Sequence, residues 1–174
     1  RQTLVLAPSK RPGWWIRRED QSDQLDTFVD ISNLWTSAQN LVLRSGSPHN
    51  YLRMVEHIIA LKLGLGIDNL LLKVQSGDPP LFDDSSLPLV KAVEEAGIVE
   101  TEQDATFVTV KEPVCFGGKR GDMLLFLPAE EGQKNLRIDC AIRWDTVIGE
   151  QRVVFDVTKE TFKYASFART NATH

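Results

Sequence analysis

The apolar and polar positions in the first third of the chain alternate over short runs, which is typical of β-strands. Such runs cover residues 3–7, 14–17 and 27–31, and turn formers such as Arg11-Pro12-Gly13 separate them. The pattern therefore predicts that the protein begins with strands.

Residues 51–63 follow a different period, because their apolar side chains recur near helical spacing. The chain offers Ser47 or Asn50 as a helix cap and Gly64 and Gly66 at the exit. A strand over 70–74 follows the helix. A second helix, capped within 83–86, then continues to Ala96 and stops at Gly97. The first part of the chain therefore predicts a two-layer unit of strands and helices.

A charged, acidic stretch over 99–105 predicts a linker, after which the strand pattern restarts. Strands are expected over 107–116, 123–127, 136–142 and 153–157. A short helix should begin at Thr158, with Thr161 as its third residue. We therefore expect an α+β protein of two similar two-layer α/β-sandwich domains, 1–100 and 101–174. The second shows no counterpart of the final strand and helix of the first, so either the fold is asymmetric or the second domain is incomplete in this chain.

Composition narrows the class of protein. With 174 residues, 42% of them apolar and 25% charged, the chain is long enough for sizeable cores. The formal charge of −4 gives no electrostatic footprint for nucleic acid. We expect no membrane span, because no apolar run approaches the roughly 18 residues that a spanning helix needs.

Two cysteines, Cys115 and Cys140, suit neither a disulfide framework nor a paired-thiol metal motif. We interpret them as buried thiols in a cytoplasmic protein. Trp14, Trp15 and Trp35 are expected to be packing residues. The basic pairs at 10–11 and 17–18 are expected on a solvated strand edge.

The segment 117–121, with the sequence GGKRG, could suggest a phosphate loop. A strand rather than a helix is expected after it, so the segment predicts a hairpin turn.

Glu56 and His57 stand side by side in an otherwise apolar helix. Adjacent helix residues point roughly 100° apart, so one of the two could simply face solvent. Alternatively, His57 binds a metal such as zinc while Glu56 takes a proton from the attacking water. A zinc site of this kind needs three protein ligands, and the chain has only His49, His57 and His174 besides its carboxylates. Spacing alone leaves both readings open.

Six sequence blocks, from residue 55 to residue 170, carry a resemblance to a known family. They are Val55-Glu56-His57, Gly64-Leu65-Gly66-Ile67-Asp68-Asn69, Pro80-x-x-Asp83-x-Ser85-x-x-Pro88, Ala96-Gly97-Ile98, Val147-Ile148-Gly149-Glu150-Gln151 and Ala168-Arg169-Thr170. In this order they resemble UDP-3-O-acyl-N-acetylglucosamine deacetylase, the zinc amidase of lipid A biosynthesis.

The resemblance implies a role for three residues of this chain. His57 would be a zinc ligand, Glu56 the general base, and Thr170 a hydroxyl that helps to hold the oxyanion of the tetrahedral intermediate. For Thr170 the alternative is a hydroxyl that satisfies a backbone group at a helix terminus.

The sequence also departs from the family's pattern. The downstream H-K-x-x-D segment that completes the family's zinc site does not occur in these 174 residues, so the Zn²⁺ site is incomplete in this chain. Met54, Asp84 and Asn171 stand where the family usually has Thr, Gly and Phe.

Two classes of function follow from the resemblance and the departures. One is a zinc-dependent deacetylase acting on a UDP-linked acylated amino sugar, with this chain as a fragment or one chain of a split protein. Its expected partner is the C-terminal remainder of the same protein or a second chain. The alternative is a non-catalytic, deacetylase-like binding or regulatory module.

Overall fold

The computed structural model describes residues 3–23, 25–36, 40–102, 104–119 and 121–169. It is an α+β protein, as predicted. The chain divides into two compact units: unit 1 holds residues 1–100 together with 157–174, and unit 2 holds residues 101–156. None of the described helices is long and apolar enough to cross a membrane.

Unit 1 contains a four-stranded mixed sheet. Its strands are β1 (Leu4–Ala7), β2 (Trp14–Arg18), β3 (Asp26–Phe28) and β7 (Leu70–Val74). They lie in the order β1-β7-β2-β3; only the pair of β7 and β2 is parallel. Alternate residues of β2 and β7 are buried, the pattern of strands with one face against a core.

A second sheet in unit 1 was not predicted. It is antiparallel and consists of β4 (Leu34–Thr36), β5 (Leu41–Arg44) and β6 (Tyr51–Arg53). The prediction of helix from residue 51 was therefore wrong by five residues. Met54 has a φ of 51°, in the left-handed region, so the helical path cannot continue N-terminally through it.

The described part of unit 1 also contains the α-helices α1 (Glu56–Leu65), α2 (Leu87–Ala96) and α3 (Lys159–Ala165). Gly66 ends α1 with a left-handed φ of 67°, and Gly97 follows α2. At α3 the predicted cap is confirmed: Thr158 and Thr161 each bond the other's backbone N–H, in a capping box.

The core of unit 1 lies among the sheets and helices. Its most deeply buried side chains include Trp14, Leu52, Leu61, Leu72 and Val90. The side chain of Phe162 in α3 packs against this cluster from outside. The helix after Thr158, which the sequence placed with the second domain, therefore lies in unit 1.

Two expectations about burial need correction. Trp35 is not a packing residue, since its side chain is 51% exposed, and Arg44 stacks on its ring. Arg18 is not solvated, because its guanidinium is buried against Asp20 and the backbone oxygen of Tyr51. The interpretation of Arg18 as a solvated residue was wrong because these partners satisfy its donors, and an arginine can be buried when its donors are satisfied.

Unit 2 consists of two separate hairpins rather than one sheet. Strands β8 (Val114–Gly117) and β9 (Met123–Phe126) form the first, and β10 (Arg137–Trp144) and β11 (Gly149–Asp156) the second. The predicted hairpin turn is confirmed, with Gly118 N–H donating to the carbonyl of Asp122. The strand expected from residue 107 begins only at Val114.

The described residues of unit 2 include none that is buried. Cys115 and Cys140 are free and exposed, so the prediction of buried thiols was wrong. Both thiols lie on two-stranded hairpins, and no second layer covers these hairpins among the described residues of unit 2.

Candidate functional site

The first residue of α1, Glu56, is tied to the neighbouring sheet. Its Oε1 accepts a hydrogen bond of 2.6 Å from the backbone N–H of Leu41 in β5. A carboxylate in the first turn of a helix also interacts favourably with the helix dipole. Glu56 is exposed to solvent, so its position is fixed while its carboxylate stays accessible.

The adjacent His57 is half-buried and turns toward the start of α2. Its Nδ1 lies 3.2 Å from the hydroxyl oxygen of Ser86, and this hydroxyl also donates to the backbone oxygen of His57 at 3.4 Å. Ser86 itself is buried. The imidazole is thus held between two helices, and sequence analysis missed Ser86 as its partner. The sequence contained one signal for this contact. It has two serines, at 85 and 86, although a single hydroxyl is enough to cap a helix, so the second serine indicated another role.

A shallow, mainly apolar depression adjoins the ring of His57. Its lining residues are Met54, His57, Ile58, Pro79, Pro80, Leu81, Phe82, Ser85 and Leu89. Leu81 and Phe82 are both exposed at its rim.

Backbone strain is concentrated around this depression. Among the described residues, the non-glycine positions with positive φ are Met54 (51°), Phe82 (55°) and Asp84 (63°). Met54 and Phe82 line the depression, and Asp84 lies between Phe82 and Ser85 in the chain. Strained conformations of this kind persist where the surrounding structure holds them, and they cluster at functional sites.

The segment before α2 also contacts the chain beyond α3. Ser85 forms an isolated antiparallel bridge with Arg169, the residue before Thr170. The Ser85 hydroxyl donates to Asp83 at 2.7 Å, and this bond, with the charge of Arg169, lowers the pKa of the Asp83 carboxyl. Arg169 of the A-R-T block therefore contacts Ser85, the neighbour of Ser86, whose hydroxyl is bonded to the His57 ring. Thr170 and His174 lie outside the described residues.

The block over 64–69 supports α1 from its other end. Gly66 gives the left-handed turn, and the side-chain oxygen of Asn69 accepts from Gly13 N–H at 2.8 Å. The indole N–H of Trp14 donates to the carbonyl of Ile67 at 2.7 Å. These bonds anchor the exit of α1 to the start of β2, so the block acts as scaffold.

No group of three His, Cys, Asp or Glu side chains in the described part of the chain could hold a metal ion. His49 is exposed, and its described hydrogen bonds are made by its backbone. The donor chemistry of His57, with Nδ1 bonded to a buried hydroxyl, fits one position of a zinc site.

These features can be compared with known proteins. A model of the family LpxC, UDP-3-O-acyl N-acetylglycosamine deacetylase, matches residues 1–174.

The chain belongs to this family.

Curated relatives of the deacetylase family give the same assignment. Proteins named UDP-3-O-acyl-N-acetylglucosamine deacetylase from Brucella ovis and Brucella canis are each 29% identical to this chain over 169 residues. Each alignment covers 95% of this chain and 56% of the relative. The chain thus spans little more than half the length of the deacetylases it matches.

Proposed function

We propose that this chain is part of a zinc-dependent deacetylase that removes acetate from UDP-3-O-acyl-N-acetylglucosamine in lipid A biosynthesis, in the cytoplasm. Membership of the family and the names of the relatives support the reaction class. The observation that carries the proposal is the juxtaposition around His57: Ser86 bonds its ring, and the neighbouring Ser85 bridges Arg169 of the A-R-T block.

In this proposal the chain contributes one metal ligand, His57. The remaining ligands come from a further part of the protein or from a second chain, since the described residues offer no group of three. Zinc, when bound in the complete site, supplies a Lewis acid for the amide carbonyl.

Glu56 is the proposed general base. Its exposed carboxylate can accept a proton from the attacking water, and the bond from Leu41 N–H fixes one of its oxygens. The other oxygen is the one we assign to proton transfer. Thr170 is the proposed donor to the oxyanion that develops on the substrate.

Substitutions at the adjacent pair test the proposal in any active form of the protein. Glu56→Gln should leave zinc bound and lower turnover by about 10²-fold or more, the scale of a lost general base. His57→Ala should lose the metal. Glu95→Gln and His49→Ala change exposed residues of the same types and serve as matched controls. If both site variants kept zinc and full activity, the proposed roles would be wrong.

A non-catalytic binding module is the second candidate. It is favoured by the lack of a three-ligand group among the described residues. Deacetylase assay of an intact, metal-loaded form separates the two, since a binding module would show no turnover.

A further inference from the structure

The ladder between β5 and β6 ends in a pair that is only half formed. The register of the two strands places Leu41 opposite Met54, one pair beyond that of Val42 and Arg53. Met54 N–H donates to the carbonyl of Leu41 at 3.0 Å. A hydrogen-bonded pair of an antiparallel ladder normally exchanges two such bonds. Here Leu41 N–H donates instead to Oε1 of Glu56, at 2.6 Å.

The backbone of Met54 explains why this N–H has a side-chain acceptor. Its φ of 51° is left-handed, whereas a residue in an antiparallel strand has a φ of about −140°. The chain therefore leaves the sheet at Met54, and Val55 already has a helical conformation, with φ −88° and ψ −4°. If residue 54 were extended, its carbonyl would face Leu41 N–H, and Glu56 would lie two residues further along the strand.

The left-handed conformation is unfavourable for a methionine, because side chains other than those of glycine, asparagine and aspartate rarely tolerate it. Met54 is half-buried and lines the depression together with His57 and Ile58. Such strain persists where the surrounding structure holds it, and it is often part of how a site is arranged. At Met54 it makes a main-chain donor of the sheet available to a carboxylate.

We infer that Met54 is a positioning residue: its left-handed backbone ends the β5–β6 ladder early, so that Leu41 N–H holds the Glu56 carboxylate. Only the catalytic meaning of this contact, the orientation of the general base, rests on the proposed function. A general base acts efficiently when it is held in place relative to the water that it deprotonates. The backbone of residue 54, rather than the methionine side chain, provides this restraint.

Hydrogen exchange of the Leu41 amide detects the contact without metal or activity. In the ¹⁵N-labelled 174-residue chain at constant pH, Glu56→Ala should make this amide exchange faster by about tenfold or more, because the charged acceptor is lost. The amide of Leu43, which pairs with Leu52 inside the ladder, is the internal reference and should change much less. Glu56→Gln keeps an acceptor oxygen and should have a smaller effect than Glu56→Ala.

Substitutions at residue 54 then test the cause. Valine is β-branched and disfavours the left-handed conformation, whereas asparagine adopts it more readily, and both remove the methionine side chain. In the Met54→Asn background, Glu56→Ala should speed the exchange of the Leu41 amide as it does in the unchanged chain. In the Met54→Val background the same substitution should change the exchange by less than about twofold, because the two groups are no longer coupled. Met54→Gly, which adopts a positive φ without penalty, should behave like Met54→Asn.

Three results would overturn the inference. They are a Leu41 amide whose exchange does not respond to Glu56→Ala in the unchanged chain, a full response that persists in folded Met54→Val, and a response that is lost in Met54→Asn and Met54→Gly. The first and third can be read even if Met54→Val does not fold, and none depends on zinc. If the exchange is as inferred but Glu56→Gln of an active form keeps full turnover, the proposed role of Glu56 as general base fails and the positioning of its carboxylate stands.

Discussion

Gly64 of α1 lies against the ring of Phe162 in α3, at a distance where a Cβ atom on residue 64 would overlap the ring. Gly64 is buried, and Phe162 packs on the core of unit 1. The glycine of the family block is thus explained by close helix approach. Through this contact, a segment beyond residue 156 completes the unit that holds Glu56 and His57.

Gly64→Ala should therefore destabilise unit 1, although alanine normally favours a helix. We expect a loss of about 1–3 kcal/mol in the free energy of unfolding, the usual range for overpacking. Urea denaturation followed by tryptophan fluorescence measures it. Gly117→Ala is a suitable control, because the nearest atom to its added Cβ is 4.0 Å away.

A double-mutant cycle tests whether Phe162 is the cause. Phe162→Ala is destabilising by itself, but in that background Gly64→Ala should cost much less, because the ring it would strike is gone. Additive effects of the two substitutions would show that Gly64 is needed for another reason.

Asp84 offers a substitution that should stabilise the protein. Its φ of 63° is one that glycine adopts without penalty, and the resemblance expects glycine there. Asp84→Gly should raise the free energy of unfolding by a few tenths to about 1 kcal/mol. At the neighbouring position Asp83→Gly should lower it, because Ser85 loses its acceptor. A destabilised Asp84→Gly in chemical denaturation would contradict the strain argument.

The ion pairs of Asp26 are expected to make the protein less stable in acid. Hydrogen bonds from Arg17 of β2, with the charge of Arg11, hold the pKa of the Asp26 carboxyl below its ordinary value of 3.8. Folding therefore favours the ionised form. Its stabilisation is fully present above about pH 4 and is lost as the pH falls through the lower, folded-state pKa.

Melting temperatures between pH 2 and about 6 measure this contribution as the difference between the unchanged chain and Asp26→Asn. The difference should be largest at pH 6 and shrink in acid. Asp23→Asn changes an exposed carboxyl nearby and should give no comparable trend. A constant difference across the range would show that Asp26 acts through packing alone.

The isolated 174-residue chain should retain zinc weakly or not at all. One histidine cannot supply the affinity of a three-ligand site, and the described residues provide no such group. Elemental analysis after dialysis against a mild chelator is the measurement. Stoichiometric zinc on the chain alone would contradict this expectation and make His49 and His174 the ligands to examine.

The β8–β9 hairpin should bind hydrophobic dyes. Its apolar surface consists of Phe116, Met123, Leu124, Leu125, Phe126 and Leu127, which are 44–71% exposed. Monomers seldom expose extensive apolar surface, and such surface binds hydrophobic dyes. Met123→Lys with Leu127→Lys should reduce dye fluorescence without changing the unfolding of unit 1.

Val99→Lys is the control for the dye experiment, because Val99 is 89% exposed but lies outside the hairpin. A chain that is monomeric, melts cooperatively and binds no dye would favour the non-catalytic module over the deacetylase.

Local chemistry made much of the fold predictable. Strands β1, β2 and β7 follow clear apolar runs, and the caps at Gly66, Gly97 and Thr158 depend on residues whose conformations or hydroxyls are distinctive. The sheet of β4, β5 and β6 was missed, because β4 has only three residues and β6 lies within the apolar pattern that predicted a helix from residue 51.

The site was less accessible to sequence analysis than the fold. The family resemblance singled out Glu56 and His57, but their partners are a backbone N–H at Leu41 and a serine 29 residues downstream. Contacts of this kind depend on how elements pack. The same holds for Arg18, whose burial follows from acceptors at Asp20 and Tyr51.

Unit 1 is built from residues 1–100 and 157–174, so unit 2 is an insertion between two parts of its sequence. Docking of α3 closes a long loop, and the entropy lost on closure grows only with the logarithm of loop length, about 0.6 kcal/mol per doubling. Insertions within 101–156 should therefore lower the stability of unit 1 very little. During synthesis, however, the contact between Gly64 and Phe162 can form only after residue 162 has left the ribosome.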